Sequence, residues 1–495
     1  MSTAKKFAGQ TAIYGLSTII QRLLSSVLTP LYTTAYAPKV YSIFSTMYSY
    51  ASLLNAFLSF GMETTFFRYL NKYPNEKRQV YNNGFWVIFA VSVIFLLLTM
   101  PFTYAIASII KIGNDTSQVQ FQHYIQLFIA ILVVDAWCVI PFAKLRADGR
   151  PIRYGVVKLV NILVTVALNL ILIFGVPYII SHHLAGWRWF AGWYVPGWVA
   201  YAFISNLVAS IVSLLMLLPQ LVSLQLKFDK AMFAGMLVYS WPMLVANLSY
   251  IVNENFDKLL LGKLLPPNIS EHEVGVYAGC ARLSIFLSLF NQAFRMGAEP
   301  FFFSHAKNKN SGHTYSVIMD YFVITMCIMF VGVVANIQIL KYYINNRTYW
   351  VGLDVVPPLL LGYVCLGVYM NLSVWYKLSD QTRYGLYISG IGAIATIILN
   401  VLFIPKYSYM ASAWVSLIAY AIMMILSYIW GQKNYPIPYH LNKNLTYIIA
   451  SIILVFLSFY VFKRNIFIGN ALLLIFTLIT FVVERKTLMQ ILKRK

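Results

Sequence analysis

The sequence predicts an all-α polytopic membrane protein with about fourteen transmembrane helices. Of its 495 residues, 60% are hydrophobic and 11% are charged, and the mean hydropathy is +0.70. A soluble domain has roughly half apolar and a quarter charged residues. Long apolar segments and an internal repeat favour the same class. Together they predict two parallel-repeat six-helix bundles (helices 1–6 and 7–12) around a central cavity, plus two extra C-terminal helices.

The individual spans follow from length, because a membrane-spanning helix needs about 20 mostly apolar residues. Fourteen segments meet this requirement. They lie near 7–30, 40–65, 83–110, 120–143, 154–180, 195–219, 236–262, 275–303, 314–338, 355–377, 384–404, 408–430, 445–462 and 466–483. The first and the seventh are polar for spans, and the last two are short.

The positive charge indicates how the spans are oriented. The formal net charge is +22, from 37 Lys and Arg against 15 Asp and Glu. With the N-terminus in the cytoplasm, 23 of these 37 bases fall in inner segments, 9 in outer segments and 5 within helices. The positive-inside rule therefore predicts that both termini are cytoplasmic. A basic chain can also bind nucleic acid, but no nucleic-acid-binding motif accompanies the charge, and no such partner is expected.

A repeat organises the chain. Residues 21–67 align without a gap on residues 257–303, at an offset of 236 positions. The least common matches are Pro30 with Pro266, Asn55 with Asn291, Gly61 with Gly297, and Glu63 with Glu299. Because six predicted spans separate the copies, both have the same orientation, which makes this a parallel repeat.

The repeat sets the predicted domain boundaries. We expect an N-terminal six-helix bundle over 1–220 and a C-terminal six-helix bundle over 236–432. Between them, 221–235 mixes Leu and Phe with charged residues and is predicted to be an amphipathic cytoplasmic linker. Two further helices and a basic cytoplasmic tail follow over 433–495.

Several function classes lack a site. The four cysteines lie singly in apolar segments, so neither a metal site, a cofactor nor a disulfide framework is expected. The first apolar segment has no small-residue cleavage site and reads as a first span rather than a signal peptide. A membrane glycosyltransferase or polymerase would need an acidic pair in a large outer loop, and all loops are short. We therefore do not expect an enzyme.

Polar side chains at helical spacing predict a hydrated cavity, because polar stripes that face lipid are costly. In the first helix these side chains step by three or four residues, and helices 7 and 8 show the same design. The candidate cavity-lining residues are Gln10, Tyr14, Gln21, Asn55, Asn247 and Asn291.

Five motifs resemble one family. They are Arg22-Leu-Leu…Leu28-Thr-Pro30-Leu-Tyr32, Tyr41-Ser-Ile-Phe, Phe60-Gly61-Met-Glu63-Thr-Thr-Phe-Phe67-Arg68-Tyr, Lys144-Leu-Arg146-Ala-Asp148-Gly149-Arg150 and Tyr239-Ser-Trp-Pro242. With the fourteen-span plan, the chain resembles bacterial polysaccharide or O-antigen flippases of the multidrug/oligosaccharidyl-lipid/polysaccharide exporter superfamily. The resemblance covers essentially the whole chain, and it identifies the family better than the substrate.

The resemblance implies a function. An undecaprenyl-diphosphate-linked oligosaccharide (an O-antigen, capsule or exopolysaccharide repeat unit) would be flipped from the cytoplasmic to the periplasmic leaflet of the bacterial inner membrane. The expected mechanism is alternating access coupled to H⁺ or Na⁺. The protein is expected to be a monomer, and its expected partners are membrane lipids, polysaccharide polymerase and chain-length proteins. A lipid II flippase with the same plan stays open as an alternative. A multidrug-and-toxin-extrusion cation antiporter is disfavoured, because the first helix has a base and no acid.

The intramembrane bases are candidates for binding the diphosphate, since a charge at the bilayer centre costs at least about 2.5–3.5 kcal/mol. The candidates are Arg22, Lys258, Arg282 and Arg295. Arg22 has no carboxylate near it in sequence and is the strongest. Lys258 has Glu254 one helical turn before it, which suits a local ion pair. A fifth base, Lys158, lies near a helix end, where it either snorkels to the headgroups or faces the cavity.

The buried acids have two expected roles. Asp135, Glu254 and Asp257 are the candidates for ion coupling, because a carboxylate in a cavity can alternate between charged and neutral forms. Glu63 and its repeat partner Glu299 are expected to be structural, through pairing with loop bases or capping of backbone donors.

We predict that Arg22→Ala abolishes surface polysaccharide while the protein stays folded in the membrane. Arg22→Lys should also be impaired, because lysine lacks the planar fork with which arginine binds phosphate. The measurement is complementation of a flippase-null strain, with membrane abundance of each variant as the control. Normal polysaccharide from a well-expressed Arg22→Ala variant would contradict the assignment.

Overall fold

The structure is a computed structural model that describes residues 20, 23–113, 116–305, 311–379 and 381–493. Over these residues it is helical and contains no β-strand. The chain divides into two compact units, Met1–Gly275 and Val276–Lys495. This division reflects packing in one conformation. The domain boundaries inferred from the repeat, and the arrangement of two bundles around a central cavity, stay predictions.

The first unit is an assembly of long helices joined by short turns. Its helices are α1 (Leu28–Ala35), α2 (Pro38–Ser59), α3 (Met62–Lys72), α4 (Lys77–Thr99), α5 (Thr103–Ile110), α6 (Gln118–Ala147), α7 (Pro151–Leu170), α8 (Val176–Ser181), α9 (Trp187–Ala191), α10 (Ala200–Met216), α11 (Leu218–Val222) and α12 (Lys230–Leu264), and α13 (Pro267–Ala281) contains the boundary. A π-helical turn over Ile171–Gly175 joins α7 to α8.

The second unit has fewer and longer helices. They are α14 (Ile285–His305), α15 (Ser311–Ala335), α16 (Ile337–Leu340), α17 (Val356–Leu372), α18 (Val374–Leu378), α19 (Arg383–Asn434), α20 (Leu441–Phe456) and α21 (Ile466–Lys493). Inside α19, Pro405 and the non-helical backbone of Ser408 (φ 49°, ψ −140°) produce a kink. Proline removes a backbone donor and crowds the preceding turn, which accounts for the kink.

Ten helices in the described part of the chain are long and apolar enough to cross a membrane. The predicted count of fourteen is not confirmed, for three physical reasons. The kinked α19 covers two predicted spans, α10 has only 17 residues, and α2 is rich in hydroxyl side chains. Most of the predicted first span lies outside the described residues.

Aromatic packing forms the core of the first unit. Phe203 of α10 is fully buried, and its ring lies 4.6 Å from Phe128, 5.6 Å from Tyr124 and 6.0 Å from Phe44. Such pairs contribute about 0.5–1.5 kcal/mol each beyond the area they bury. This cluster therefore ties α2, α6 and α10 together, and these helices also carry the cavity described below.

Ion pairs fasten the two C-terminal helices within the second unit. Asp320 of α15, 3% exposed, has Oδ2 at 2.7 Å from Nδ1 of His440. Lys443 Nζ lies 3.5 Å from the same carboxylate and donates to Glu484 of α21 at 2.8 Å. The sequence did not predict these pairs, because Asp320 and Glu484 lie 164 positions apart on different helices and the bases next to Glu484 are Arg485 and Lys486.

The first copy of the repeat contains a helix break. The predicted second span ran to residue 65, but α2 ends at Ser59, and α3 starts again at Met62 after left-handed Phe60 (φ 46°) and Gly61 (φ 65°). The corresponding Gly297 lies inside the continuous helix α14. The same glycine therefore has different backbone conformations in the two copies.

We predict that Gly61→Ala lowers the free energy of unfolding by about 1–2 kcal/mol, the cost of a left-handed L-residue. A Cβ at this position would also lie 3.0 Å from the Ser240 carbonyl oxygen and 3.1 Å from the Met243 Cβ. Gly390→Ala is the matched control, because it is helical with open space around its Cβ and should be neutral or stabilising. Thermal unfolding of the purified protein measures both variants, and equal unfolding temperatures would contradict the prediction.

Candidate functional site

A polar cavity of about 660 Å³ lies in the first unit. Ligand sites commonly enclose roughly 300–1,000 Å³. Five helices contribute most of the lining: α2, α6, α7, α10 and α12. The lining residues are Ser52, Asn55, Ala56, Ser59, Glu63, Asp135, Cys138, Val139, Phe142, Arg146, Tyr154, Lys158, Asn161, Asn206, Ser210, Ser213, Asn247, Tyr250 and Ile251.

Helical spacing explains why these side chains share one space. On α7, Tyr154, Lys158 and Asn161 step by four and three residues, and on α10, Asn206, Ser210 and Ser213 do the same. Residues at this spacing lie on one face of a helix. Hydrocarbon cannot satisfy hydrogen-bonding groups, so such faces turn towards one another and towards water. The sequence analysis applied this test to three other helices and missed the stripes on α7 and α10.

An ion pair stands at one end of the cavity. Arg146, at the end of α6, donates to the carboxylate of Glu63, in the first turn of α3. The guanidinium also lies over Phe67, at 5.0 Å from the ring centroid, and over Tyr154, at 5.8 Å. The expected pairing of Glu63 with a loop base is thus present. Glu299, its repeat partner, lies in α14, and its side chain is not described.

A second pair of opposite charges lies further along the same cavity. Asp135 of α6 and Ser210 of α10 both line the cavity, and Asp135 lies within electrostatic reach of Lys158. Lys158 Nζ lies 4.3 Å from the centroid of the Phe142 ring. The lysine therefore faces the cavity rather than snorkelling out of it, which decides between the two alternatives raised by its sequence position.

Amide side chains complete the lining. Asn161 Nδ2 donates to Ser213 Oγ at 2.9 Å, and Asn206 Nδ2 donates to the Tyr48 hydroxyl at 2.6 Å. Asn55 and Asn247 are exposed and line the cavity. The site thus presents both donors and acceptors to whatever occupies it, which suits a ligand rich in hydroxyl groups.

The predicted site residues have different locations. Asn55, Asn247 and Asp135 line the cavity together. Gln10, Tyr14, Gln21 and Arg22 lie outside the described residues. Arg282, Asn291 and Arg295 belong to the second unit. Asn291 is 2% exposed and donates to the Tyr363 carbonyl oxygen at 2.8 Å, so it bonds between helices. Arg282 and Arg295 are exposed, and Arg295 borders a small cleft with Lys377.

The charged cluster of α12 corrects one expectation. Lys258 Nζ lies 3.4 Å from the Asp257 carboxylate and donates to the backbone carbonyl of Glu254 at 3.1 Å. The ion pair is therefore with Asp257, the adjacent residue, and not with Glu254. None of these three residues is among those that line the described cavity. In the described part of the chain, no three His, Cys, Asp or Glu side chains cluster as a metal site.

We predict that Glu63 and Arg146 are energetically coupled by about 0.2–1 kcal/mol, the range measured for exposed ion pairs. Their side chains are 47% and 29% exposed. A double-mutant cycle of Glu63→Gln, Arg146→Gln and the double variant, measured by thermal unfolding, isolates this energy. Strict additivity of the two single effects would rule out a functional contact between them.

Comparison with known proteins places the chain in a family. A family model described as polysaccharide biosynthesis protein matches residues 7–304, whereas no curated protein sequence matches the chain significantly. The resemblance inferred from the motifs is thereby confirmed.

Solved structures show the fold. The lipid II flippase MurJ, in an inward closed conformation, superposes with a TM-score of 0.73 at 13% identity, over 96% of this chain and 100% of that one. An inward-facing multidrug resistance MATE family transporter of the MOP superfamily gives 0.62 at 12% identity, over 85% and 97%. These comparisons confirm the predicted fold class. The chain belongs to the polysaccharide biosynthesis protein family, and it is a multi-pass membrane protein whose fold is similar to those of the lipid II flippase MurJ and the MATE transporter.

Proposed function

We propose that this protein flips an undecaprenyl-diphosphate-linked oligosaccharide from the cytoplasmic to the periplasmic leaflet of a bacterial inner membrane. The observation that carries the proposal is the polar cavity of the first unit, which combines amides, hydroxyls, aromatic rings and two bases within apolar helices. The sugar and diphosphate head cannot cross hydrocarbon, so a hydrated path with hydrogen-bonding groups is the physical requirement. Membership in a polysaccharide biosynthesis family supports the same substrate class.

The amide and hydroxyl side chains would bind the sugars. Asn55 and Asn247 are exposed to the cavity and offer one donor group and one acceptor each. The rings of Phe142 and Tyr154 lie 5.4 Å apart at the wall and could each offer a face to a sugar ring. Because such contacts are weak and numerous, they tolerate glycans of different sequence.

The bases would bind the diphosphate. Arg146 already pairs with the carboxylate of Glu63. A phosphate oxygen can take the place of this carboxylate as the anionic partner of the guanidinium. Lys158 lies deeper, beside Asp135, and would be the next cation along the path. Arg22, Lys258, Arg282 and Arg295 remain candidates for further stations in other conformations.

Ion coupling is assigned first to Asp135. Among the three candidate acids, it is the one that lines the cavity and has a cation within electrostatic reach. Binding of the diphosphate to Lys158 would remove that cation from Asp135, which favours protonation or binding of Na⁺ by the carboxylate. Glu254 and Asp257 are second candidates, since Asp257 is already paired with Lys258.

Two alternatives differ in substrate. A cation antiporter needs a cavity of net negative charge, whereas here Glu63 and Asp135 are matched by Arg146 and Lys158. A lipid II flippase remains the second candidate, because the MurJ superposition covers the whole of that chain. We further propose that the protein is not an enzyme, works as a monomer with both termini cytoplasmic, and contacts polysaccharide polymerase and chain-length proteins.

We predict that Lys158→Gln reduces surface polysaccharide at least about tenfold in a flippase-null strain, equivalent to about 1.4 kcal/mol of lost binding. Lys158→Arg should retain part of the activity. Arg153→Gln is the matched control, because it removes one charge from the same helix at a residue outside the cavity. Complementation of flippase-null strains that make chemically defined glycans, or of strains that depend on lipid II flipping, identifies the substrate. Full activity of Lys158→Gln at normal abundance would overturn the role.

A further inference from the structure

A second, smaller pocket of the first unit is lined by more bases than carboxylates. It encloses about 520 Å³ between α3, α4 and the end of α6, and its basic lining residues are Lys77, Arg78 and Lys144. One carboxylate, Asp148, also lines it, and among the described residues none of the three bases forms an ion pair within 4 Å. Asp148 lies within electrostatic reach of Lys144 and balances one of the three positive charges, so the pocket keeps an excess of positive charge.

Lys144 is held in place rather than left to move in solvent. Its Nζ donates to Ser223 Oγ at 2.6 Å and lies 4.1 Å from the centroid of the Tyr81 ring. Neither partner carries a negative charge at neutral pH. An ammonium group that is oriented by neutral partners and half-buried among other bases is stabilised by an external anion.

The helix that supplies the other two bases adds to this demand. Lys77 and Arg78 occupy the first turn of α4, which contains no acidic residue, and the exposed Glu76 at the N-cap is the one carboxylate next to them in sequence. The first turn of a helix carries partial positive charge, so bases there are unfavourable and a bound anion is favourable. Arg78 donates one long hydrogen bond, 3.4 Å, to the Ser223 carbonyl oxygen, and its other N–H groups remain available to a ligand.

The surroundings of the pocket favour a lipid over a soluble anion. Phe66, Phe67 and Leu70 of α3 form an apolar wall beside the bases. Val222 at the end of α11 is 81% exposed, and Leu226 in the segment that follows is 88% exposed, on either side of Ser223. Exposed apolar side chains beside bases are typical of a surface that lies in the headgroup region of a membrane.

The same segment is firmly attached to α4, so the pocket is a fixed structure. Trp86 Nε1 donates to the Gln225 carbonyl oxygen at 2.9 Å, and the Gln225 amide donates to Asn82 Oδ1 at 3.1 Å. Asn83 bonds to both backbone groups of Asp229, at 2.9 and 3.0 Å. The segment after α11 is therefore held in position by the protein itself, without a ligand, and the bases of α4 and α6 lie beside it.

We propose that this pocket binds the phosphate of an anionic phospholipid of the leaflet predicted to be cytoplasmic. The three bases would hold the phosphate, and the acyl chains would lie along the apolar wall and outside it. Each base near an anionic surface contributes on the order of 1 kcal/mol. The site is distinct from the polar cavity, and the proposal does not depend on which glycan is carried.

The test is native mass spectrometry of the full-length protein in neutral detergent, titrated with phosphatidylglycerol or phosphatidylethanolamine. We expect binding of phosphatidylglycerol, about tenfold preference over phosphatidylethanolamine, and about tenfold loss in the double variant Lys144→Gln/Arg78→Gln. The matched control is Arg383→Gln/Lys433→Gln, which removes two exposed bases from the second unit and should leave binding unchanged. The single variant Lys144→Arg keeps the positive charge and should retain most of the phosphatidylglycerol binding.

Several results would overturn the proposal. These are equal binding to the pocket and control double variants, equal binding of the two lipids, and displacement of phosphatidylglycerol by millimolar inorganic phosphate. Preferential displacement by undecaprenyl phosphate would assign the pocket to the substrate path instead. If the double variant does not fold, Arg78→Gln alone serves, because this exposed side chain makes one long bond, and we expect about threefold weaker binding.

Discussion

Polar side chains in membrane-spanning helices must face water or one another, because hydrocarbon offers them no hydrogen-bond partner. The first unit obeys this constraint with five helices whose polar stripes meet in one cavity. Asn161 with Ser213, and Asn206 with Tyr48, are satisfied across helices, whereas Asn55 and Asn247 are left exposed to the space. The cavity is thus a consequence of where polar residues can be placed, and the side chains that line it determine what it can bind.

The charges of the first unit fall into two groups with different physical states. Arg146 has a carboxylate partner in Glu63, and Lys158 has Asp135 within electrostatic reach. Lys144, two residues before Arg146 on the same helix, contacts the neutral side chains of Ser223 and Tyr81 and lies in a pocket with three bases and one carboxylate. The Phe67 ring contacts the Arg146 guanidinium and also lines the basic pocket, so helix α3 borders both spaces. One short motif at the end of α6 therefore supplies bases to both the polar cavity and the basic pocket.

Duplication does not preserve the role of each residue. Gly61 breaks the chain between two helices, whereas Gly297 continues one. Asn55 is exposed to the cavity, and its repeat partner Asn291 is buried and bonded to a backbone carbonyl. In each pair the side chain is identical, and its neighbours decide what it does. Divergence of this kind allows one copy to carry a binding surface while the other carries packing.

Composition, span length and the repeat were sufficient to predict the helical membrane class, and five short motifs were sufficient to indicate the family. All of these are properties of consecutive residues. The sequence also identified Asn55 and Asn247 as candidates for the polar lining and Asp135 as a candidate for ion coupling. It could not decide that Lys158 faces the cavity, that Lys258 pairs with Asp257, or that Glu63 meets Arg146 from a helix 83 positions away. Those outcomes depend on which helices become neighbours and how each is rotated. The sequence by itself determined which groups need a polar environment, and only the tertiary structure decided which of them provide it for one another.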